Sequence, residues 1–231
     1  NMKKTLIGLF IAMFSFGSAS ADAGVNIGIS GNGALFAATA TEFDNGTHGT
    51  TTSPDESNKE SEHLGAAYAS IFIEKELGIA FIGVDYVPSE IETDTVESLR
   101  NDCTSAQSCA GSGGGFTQQT NTVKVEFSDI VTAYVGAKIG ETFYVKAGVV
   151  SVDLATKETL GTGSTYGNTS MDGTMIGLGG QANFDNGMFV RGEANYIEFD
   201  PVSLTSDTGV NKITVNSLDG VSGKISIGAS F

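Results

Sequence analysis

Lys224-Ile-Ser-Ile-Gly-Ala-Ser-Phe231 alternates polar or small side chains with apolar ones and ends on an aromatic ring. A two-residue period marks a strand with two unlike faces. Ile225, Ile227, Ala229 and Phe231 therefore share one face, and Lys224, Ser226, Gly228 and Ser230 share the other. Soluble domains usually finish in a frayed polar tail. A strand that stops on Phe calls for an apolar surround.

The other end of the chain supplies a context. Lys3 and Lys4 form a positive segment, Leu6 to Phe16 an apolar one, and Ser18-Ala19-Ser20-Ala21 a run of small residues. This is the pattern of a secretory signal cleaved after Ala21, leaving residues 22–231 as one domain. The apolar run is shorter than the ~20 residues of a spanning helix. No later run is long enough to be one. The chain has 31 Gly, 3 Pro and no Trp, and its formal charge of −15 becomes −17 once both signal lysines leave. That balance argues against nucleic acid, whose binding calls for a basic patch.

Alternating segments recur along the chain, separated by interruptions of two kinds. Gly24 to Thr41 places Val25, Ile27, Ile29, Leu35 and Ala37 opposite Asn26, Ser30 and Asn32. After the polar stretch Glu42 to Glu62 come Leu64 to Glu74, a tight Lys75-Glu76-Leu77-Gly78 turn, and Ile79 to Val87. A long connection, Pro88 to Asn121, leads to Thr122 to Lys138, and a short Ile139-Gly140-Glu141 turn leads to Thr142 to Leu154. Ala155 to Asp172 forms the third long loop. Gly173 to Phe184 then meets Met188 to Phe199 across Asp185-Asn186-Gly187, a strong hairpin signal because a primed turn needs positive φ. Asp200 to Asn211 is the fourth long loop, before a last strand of roughly Ile213 to Phe231 with a bulge expected near Leu218-Asp219-Gly220.

The count is eight strands, with long loops at one end and short turns at the other. This predicts an all-β fold, an eight-stranded antiparallel up-and-down transmembrane β-barrel of the bacterial outer membrane. Lipid offers no hydrogen-bond partners, so a sheet inside it can have no open edge. A secreted β-sandwich would also alternate. Against the sandwich stand the final Phe231, the regular long-short loop rhythm, and faces built of Gly, Ala, Val and Ile.

Met188 to Phe199 (MFVRGEANYIEF) and Phe143 to Gly148 (FYVKAG) resemble the strands of small OmpA-type outer-membrane barrels, and Gly223 to Phe231 resembles that family's assembly signal. The resemblance implies that Ile225, Ile227 and Phe231 address the chain to the barrel-assembly machinery, although Ala229 stands where the family commonly has Tyr. It implies a Gram-negative outer membrane reached by Sec-type export. The peptidoglycan-binding domain that follows the barrel in OmpA does not follow Phe231, so cell-wall tethering is not expected.

Charges on the strands carry the functional argument. Arg191 and Glu193 share a face with Asn195, opposite Met188, Val190, Ala194 and Tyr196. A charge facing the middle of a bilayer costs about 2–4 kcal/mol, so both must point inward. Lys146, Lys224 and Asp85 have the same parity, as does Glu126. Arg191, Glu193 and Lys224 lie on neighbouring strands and are expected to cluster, Lys224 with Glu193. Such a cluster is either a gate in a narrow pore or a satisfied polar plug, since an eight-stranded interior is only just wide enough to be filled by side chains.

The longest loop holds Cys103 and Cys109, which in an exported protein are expected to form a disulfide that pins the loop tip. Two cysteines without a neighbouring His make a poor metal site. The two histidines, His48 and His63, flank the first loop without a catalytic constellation around them, and Gly111 to Gly115 lacks the flanks of a phosphate loop. Neither catalysis nor a cofactor is expected. Acidic residues crowd the long loops, including Asp44, Asp55, Glu56, Glu60 and Glu62, then Glu90, Glu92, Asp94, Glu97 and Asp102. Expected partners are outer-membrane lipid, lipopolysaccharide and the assembly machinery, with extracellular ligands or phage at the loops. The expected role is structural or surface-interactive, with a narrow passive channel, porin-like or resembling OmpW, as the alternative and a rim enzyme ranked last.

Overall fold

The computed structural model describes residues 24–44, 47–48, 51–52, 56–102, 117–159, 165–209 and 211–231. The expected signal at residues 1–21 and the Cys103–Cys109 pair lie outside the described residues. In chain order the strands are β1 (Val25–Asp44), β2 (Thr47–His48), β3 (Thr51–Thr52), β4 (Glu56–Leu77), β5 (Ala80–Val87), β6 (Ile91–Glu92) and β7 (Val96–Asp102). They continue with β8 (Thr117–Ile139), β9 (Phe143–Thr159), β10 (Thr169–Asn183), β11 (Met188–Phe199), β12 (Val202–Thr205) and β13 (Asn211–Ser230).

Eight of these form a hydrogen-bonded ring, β1-β4-β5-β8-β9-β10-β11-β13 and back to β1, with every pairing antiparallel. Closure is made by β13, whose Ala229 to Asn211 register with Ile27 to Asp44 of β1. Val25 N donates to Phe231 O at 3.0 Å and Phe231 N to Val25 O at 2.9 Å, which finishes the seam. The short turns reverse on glycines in the left-handed region, Gly140 at φ 70° and Gly187 at φ 81° among them, where a side chain would be strained.

The ring strands run further than their alternation suggested. β4 begins at Glu56 inside the expected first loop, β8 at Thr117 inside the second, and β9 extends to Thr159 inside the third. Polar residues hold strand geometry there because the ladder to a neighbour continues past the end of the apolar pattern. The bulge expected at Leu218 to Gly220 lies at Asn216 instead, skipped between the pairs Thr39–Ser217 and Ala40–Val215. A second irregularity separates Ser128–Asp153 from Val131–Ser151, where Asp129 adopts φ 50°.

One seam of the ring is incomplete. β4 and β5 pair from Leu77–Ala80 to Ile71–Tyr86, and above Ile71 the described part of β4 pairs only with β1. Pro88 ends β5, having no N–H to offer a ladder. The chain then rejoins β8 as β6 and β7, away from β4.

Polarity is inverted relative to a soluble protein. Ile29 on β1, Val145 on β9, Leu178 on β10 and Ile225 on β13 are exposed on the outer wall, Ile225 at 71%. Glu74, Lys146, Arg191, Glu193 and Lys224 are buried inside, none above 9%.

Candidate functional site: the lumen

The lower lumen, beside the short turns, is built by pairing aromatic rings with glycines on the next strand. Phe81 stands in register with Gly136, Tyr144 with Gly179, and Phe189 with Gly228. A Cβ added at Gly136 would lie 2.1 Å from the Phe81 ring, and one at Gly179 would lie 2.5 Å from that of Tyr144. The glycines therefore provide the floor on which the rings lie flat, filling a bore too narrow for two large side chains face to face.

Within this collar the Arg191 guanidinium sits 4.7 Å from the Phe189 ring centre, 5.3 Å from Phe72 and 5.4 Å from Tyr144. Its Nη1 and Nη2 donate to Glu74 Oε1 and Oε2 at 2.6 and 2.5 Å, and its Nε donates to Gln181 Oε1 at 2.5 Å. Tyr134 Oη donates to Glu74 Oε1 at 2.8 Å. Such two-point, charge-assisted contacts are the stronger class of hydrogen bond. In the sequence Glu74 closes an alternating segment next to the expected Lys75-Glu76-Leu77-Gly78 turn, so its inward parity does not stand out, whereas β4 continues to Leu77.

A second tier lies above. Glu193 accepts from Lys146 Nζ and from Tyr144 Oη, both at 2.5 Å. Lys224 pairs with Asp85, which also accepts from Ser70 Oγ at 3.2 Å. The expected Lys224–Glu193 partnership is therefore corrected, even though the two residues are register partners on adjacent strands. The reason lies in β10, whose residues facing this level are Gly177 and Gly179, in register with Lys146 and Glu193 respectively. With no side chain between them, Lys146 reaches Glu193 over the glycines, and Lys224 turns across the lumen to Asp85. Each cation of the three pairs meets one carboxylate, so the charges of this group balance.

The upper lumen is apolar. Val152, Leu154, Tyr166, Met171, Leu204 and Leu218 form a buried cluster. The segments around Tyr166 and β12 are tied together over it by Asp207 N to Thr165 O at 2.9 Å and Thr165 N to Asp207 Oδ1 at 3.0 Å.

Other sequence candidates lie elsewhere. Glu126 is at the rim and pairs with Lys157, while Glu92 pairs with Lys124 on the outer extension of β8. The hydrogen bond from Lys124 holds the Glu92 carboxyl below the usual carboxylate range. Ile225, Ile227 and Phe231 are exposed on the outer wall. His63 is exposed in register with Ala37, and the side chain of His48 lies outside the described residues. Among the described residues no group of three or more His, Cys, Asp or Glu is placed to hold a metal ion.

No family model and no curated protein matches the chain. Solved structures do. The outer membrane protein OprG from Pseudomonas aeruginosa is 12% identical over 90% of this chain and 96% of that one, with a TM-score of 0.51. Ail, the attachment invasion locus protein of Yersinia pestis, is 11% identical over 88% and 99%, with a TM-score of 0.39. The outer membrane protease OmpT from Escherichia coli is 10% identical over 90% and 97%, with a TM-score of 0.45. At such identities the likeness speaks to fold alone. The structural neighbours are outer-membrane β-barrel proteins, with and without enzymatic activity in their names.

Proposed function

We propose that the chain forms a bacterial outer-membrane β-barrel of the OmpA-like kind, exported by the Sec route, whose role is structural or surface-interactive and whose lumen is closed by its own side chains. The observation that carries this reading is the inverted polarity, with isoleucines and valines outside and three ion pairs inside. Unsatisfied backbone groups are expensive in hydrocarbon, and a ring of ladders satisfies them. Outer-membrane lipid and lipopolysaccharide surround the wall. The outer extensions, with exposed Glu60, Glu62, Glu90 and Asp94, face extracellular ligands or phage.

Lipid contact is tested by nitroxide labels in vesicles, in a Cys103→Ser/Cys109→Ser background. Labels at Val145, Leu178 and Ile225 should be accessible to oxygen and shielded from a water-soluble relaxant. Equal access of both reagents to all three sites would rule the membrane reading out.

A second reading, a narrow passive channel for small solutes, is favoured by one observation, the edge of β4 above Ile71 that has no partner other than β1 among the described residues.

A further inference from the structure

We propose that Lys146 Nζ and Asn195 Cγ join in an amide bond inside the barrel, with Glu193 moving the protons. Lys146 of β9 and Asn195 of β11 are both register partners of Gly177, on the strand between them. They therefore stand at one level of the wall with no side chain separating them. A Cβ placed at Gly177 would lie 3.2 Å from Lys146 Cε and 3.2 Å from Asn195 Cγ, and closer still to Asn195 Oδ1. The lysine and the amide share the space that any larger residue at this position would fill.

Both partners are held for reaction. Lys146 Nζ donates to Glu193 Oε2 at 2.5 Å, and Tyr144 Oη donates to Glu193 Oε1 at 2.5 Å. A nucleophile in hydrogen-bond contact with a base that a third group orients is the arrangement that activates an amine. Asn195 is only 9% exposed, and its Nδ2 donates to Ser222 Oγ at 3.4 Å. Its Oδ1 is buried and accepts no hydrogen bond among the described residues. A buried amide oxygen without a donor is costly. Glu193, two residues earlier on the same face, supplies a donor once protonated, and a donor there draws electrons from Cγ.

The step balances within these three residues. Glu193 takes one proton from the Lys146 ammonium, a transfer that leaves no charge away from water. The freed Nζ lone pair bonds to Asn195 Cγ while the C=O π pair moves to Oδ1. As that pair returns, the Cγ–Nδ2 bond breaks. Glu193 gives its proton to the departing nitrogen and takes up the one that Nζ sheds, and ammonia leaves. A neutral amide and a neutral carboxyl replace the ion pair, so the charges of the lumen still balance. Proximity supplies the rate, since groups fixed in contact react as if at very high concentration. The bond ties β9 to β11 across β10 and, unlike the ladders, survives unfolding.

The bond needs the folded lumen and not lipid outside the wall, so the mass of the chain tests it independently of the membrane reading. Full-length protein is unfolded in urea and refolded into detergent micelles, and the folded form, selected by its gel mobility before boiling, is digested with trypsin. The folded chain should be lighter than the unfolded one by one ammonia. Residues 139–157, uncut after Lys146, should be recovered joined to residues 192–212. Asn195→Leu removes the reacting carbon, leaves Lys146 with Glu193, and should fold and keep its full mass. Glu193→Gln should slow bond formation by about 10²-fold or more. Boiled unaltered protein should migrate ahead of boiled Asn195→Leu, because a closed ring compacts the unfolded chain. Residues 139–146 and 192–212 recovered from folded, unaltered protein only as separate peptides would overturn the proposal. So would a loss of ammonia confined to Asn186, which beside Gly187 can lose it without a cross-link. Neither result depends on a variant folding.

Discussion

Arg191 and Glu74, 117 residues apart, meet inside the barrel in a two-point contact of 2.6 and 2.5 Å. Removing one partner of a buried pair strands the other's charge, at about 3–5 kcal/mol. Arg191→Leu alone should therefore lower the urea midpoint strongly, read by circular dichroism in vesicles. Arg191→Leu with Glu74→Leu should recover most of the loss. Equal loss in the single and double variants would mean that packing, not charge pairing, sets the effect.

The ring-on-glycine pairs predict an asymmetry among glycines. Gly136→Ala puts a methyl into the Phe81 ring, and overpacking of this sort costs about 1–3 kcal/mol. Gly192→Ala, whose Cβ would meet nothing within 4 Å, should leave stability within about 0.5 kcal/mol of the parent. Unfolding curves of both variants in one lipid check the contrast.

Phe231 contributes two backbone hydrogen bonds to the seam while its ring is 80% exposed. Deleting the residue should reduce the yield of the fast-migrating, unboiled form on gels. Phe231→Ala keeps the backbone bonds and should lose less in refolding into pure lipid. In cells, the two should be similarly impaired if the ring is what the assembly machinery recognises.

At the outer rim, the hydrogen bond from Lys124 lowers the folded-state pKa of Glu92. The stabilisation is present above the unfolded pKa and is lost as pH falls through the depressed folded one. The Glu92 carboxyl carbon resonance should titrate at a lower pH than in an unfolded peptide, and Lys124→Met should move it upward. Salt should weaken the shift, because the pair is exposed.

Much of the fold could be read from a two-residue period. Eight apolar-alternating segments, the last strand among them, became the ring because inward and outward residues must alternate in such a wall, and the Asp185-Asn186-Gly187 turn joins two of them. The extensions at Glu56 and Thr117 were hidden, since beyond the apolar band alternation has nothing to mark it. Inward parity of Arg191 or Lys224 follows from the strand alone, but the choice of partner does not. Lys224 meets Asp85 because Gly177 and Gly179 clear the path between Lys146 and Glu193, a relation among three strands. The open edge of β4 depends on Pro88 diverting a neighbouring strand, and parity within β4 is silent about it.

The most direct test of a lumen closed by Glu74–Arg191, Lys146–Glu193 and Asp85–Lys224 is single-channel recording of the purified protein in planar bilayers. Closed pairs predict a flat baseline, with openings appearing only when Arg191 or Glu193 is replaced by a small residue. Steady, reproducible openings from the unaltered protein would show that the ion pairs gate a pore and do not plug it.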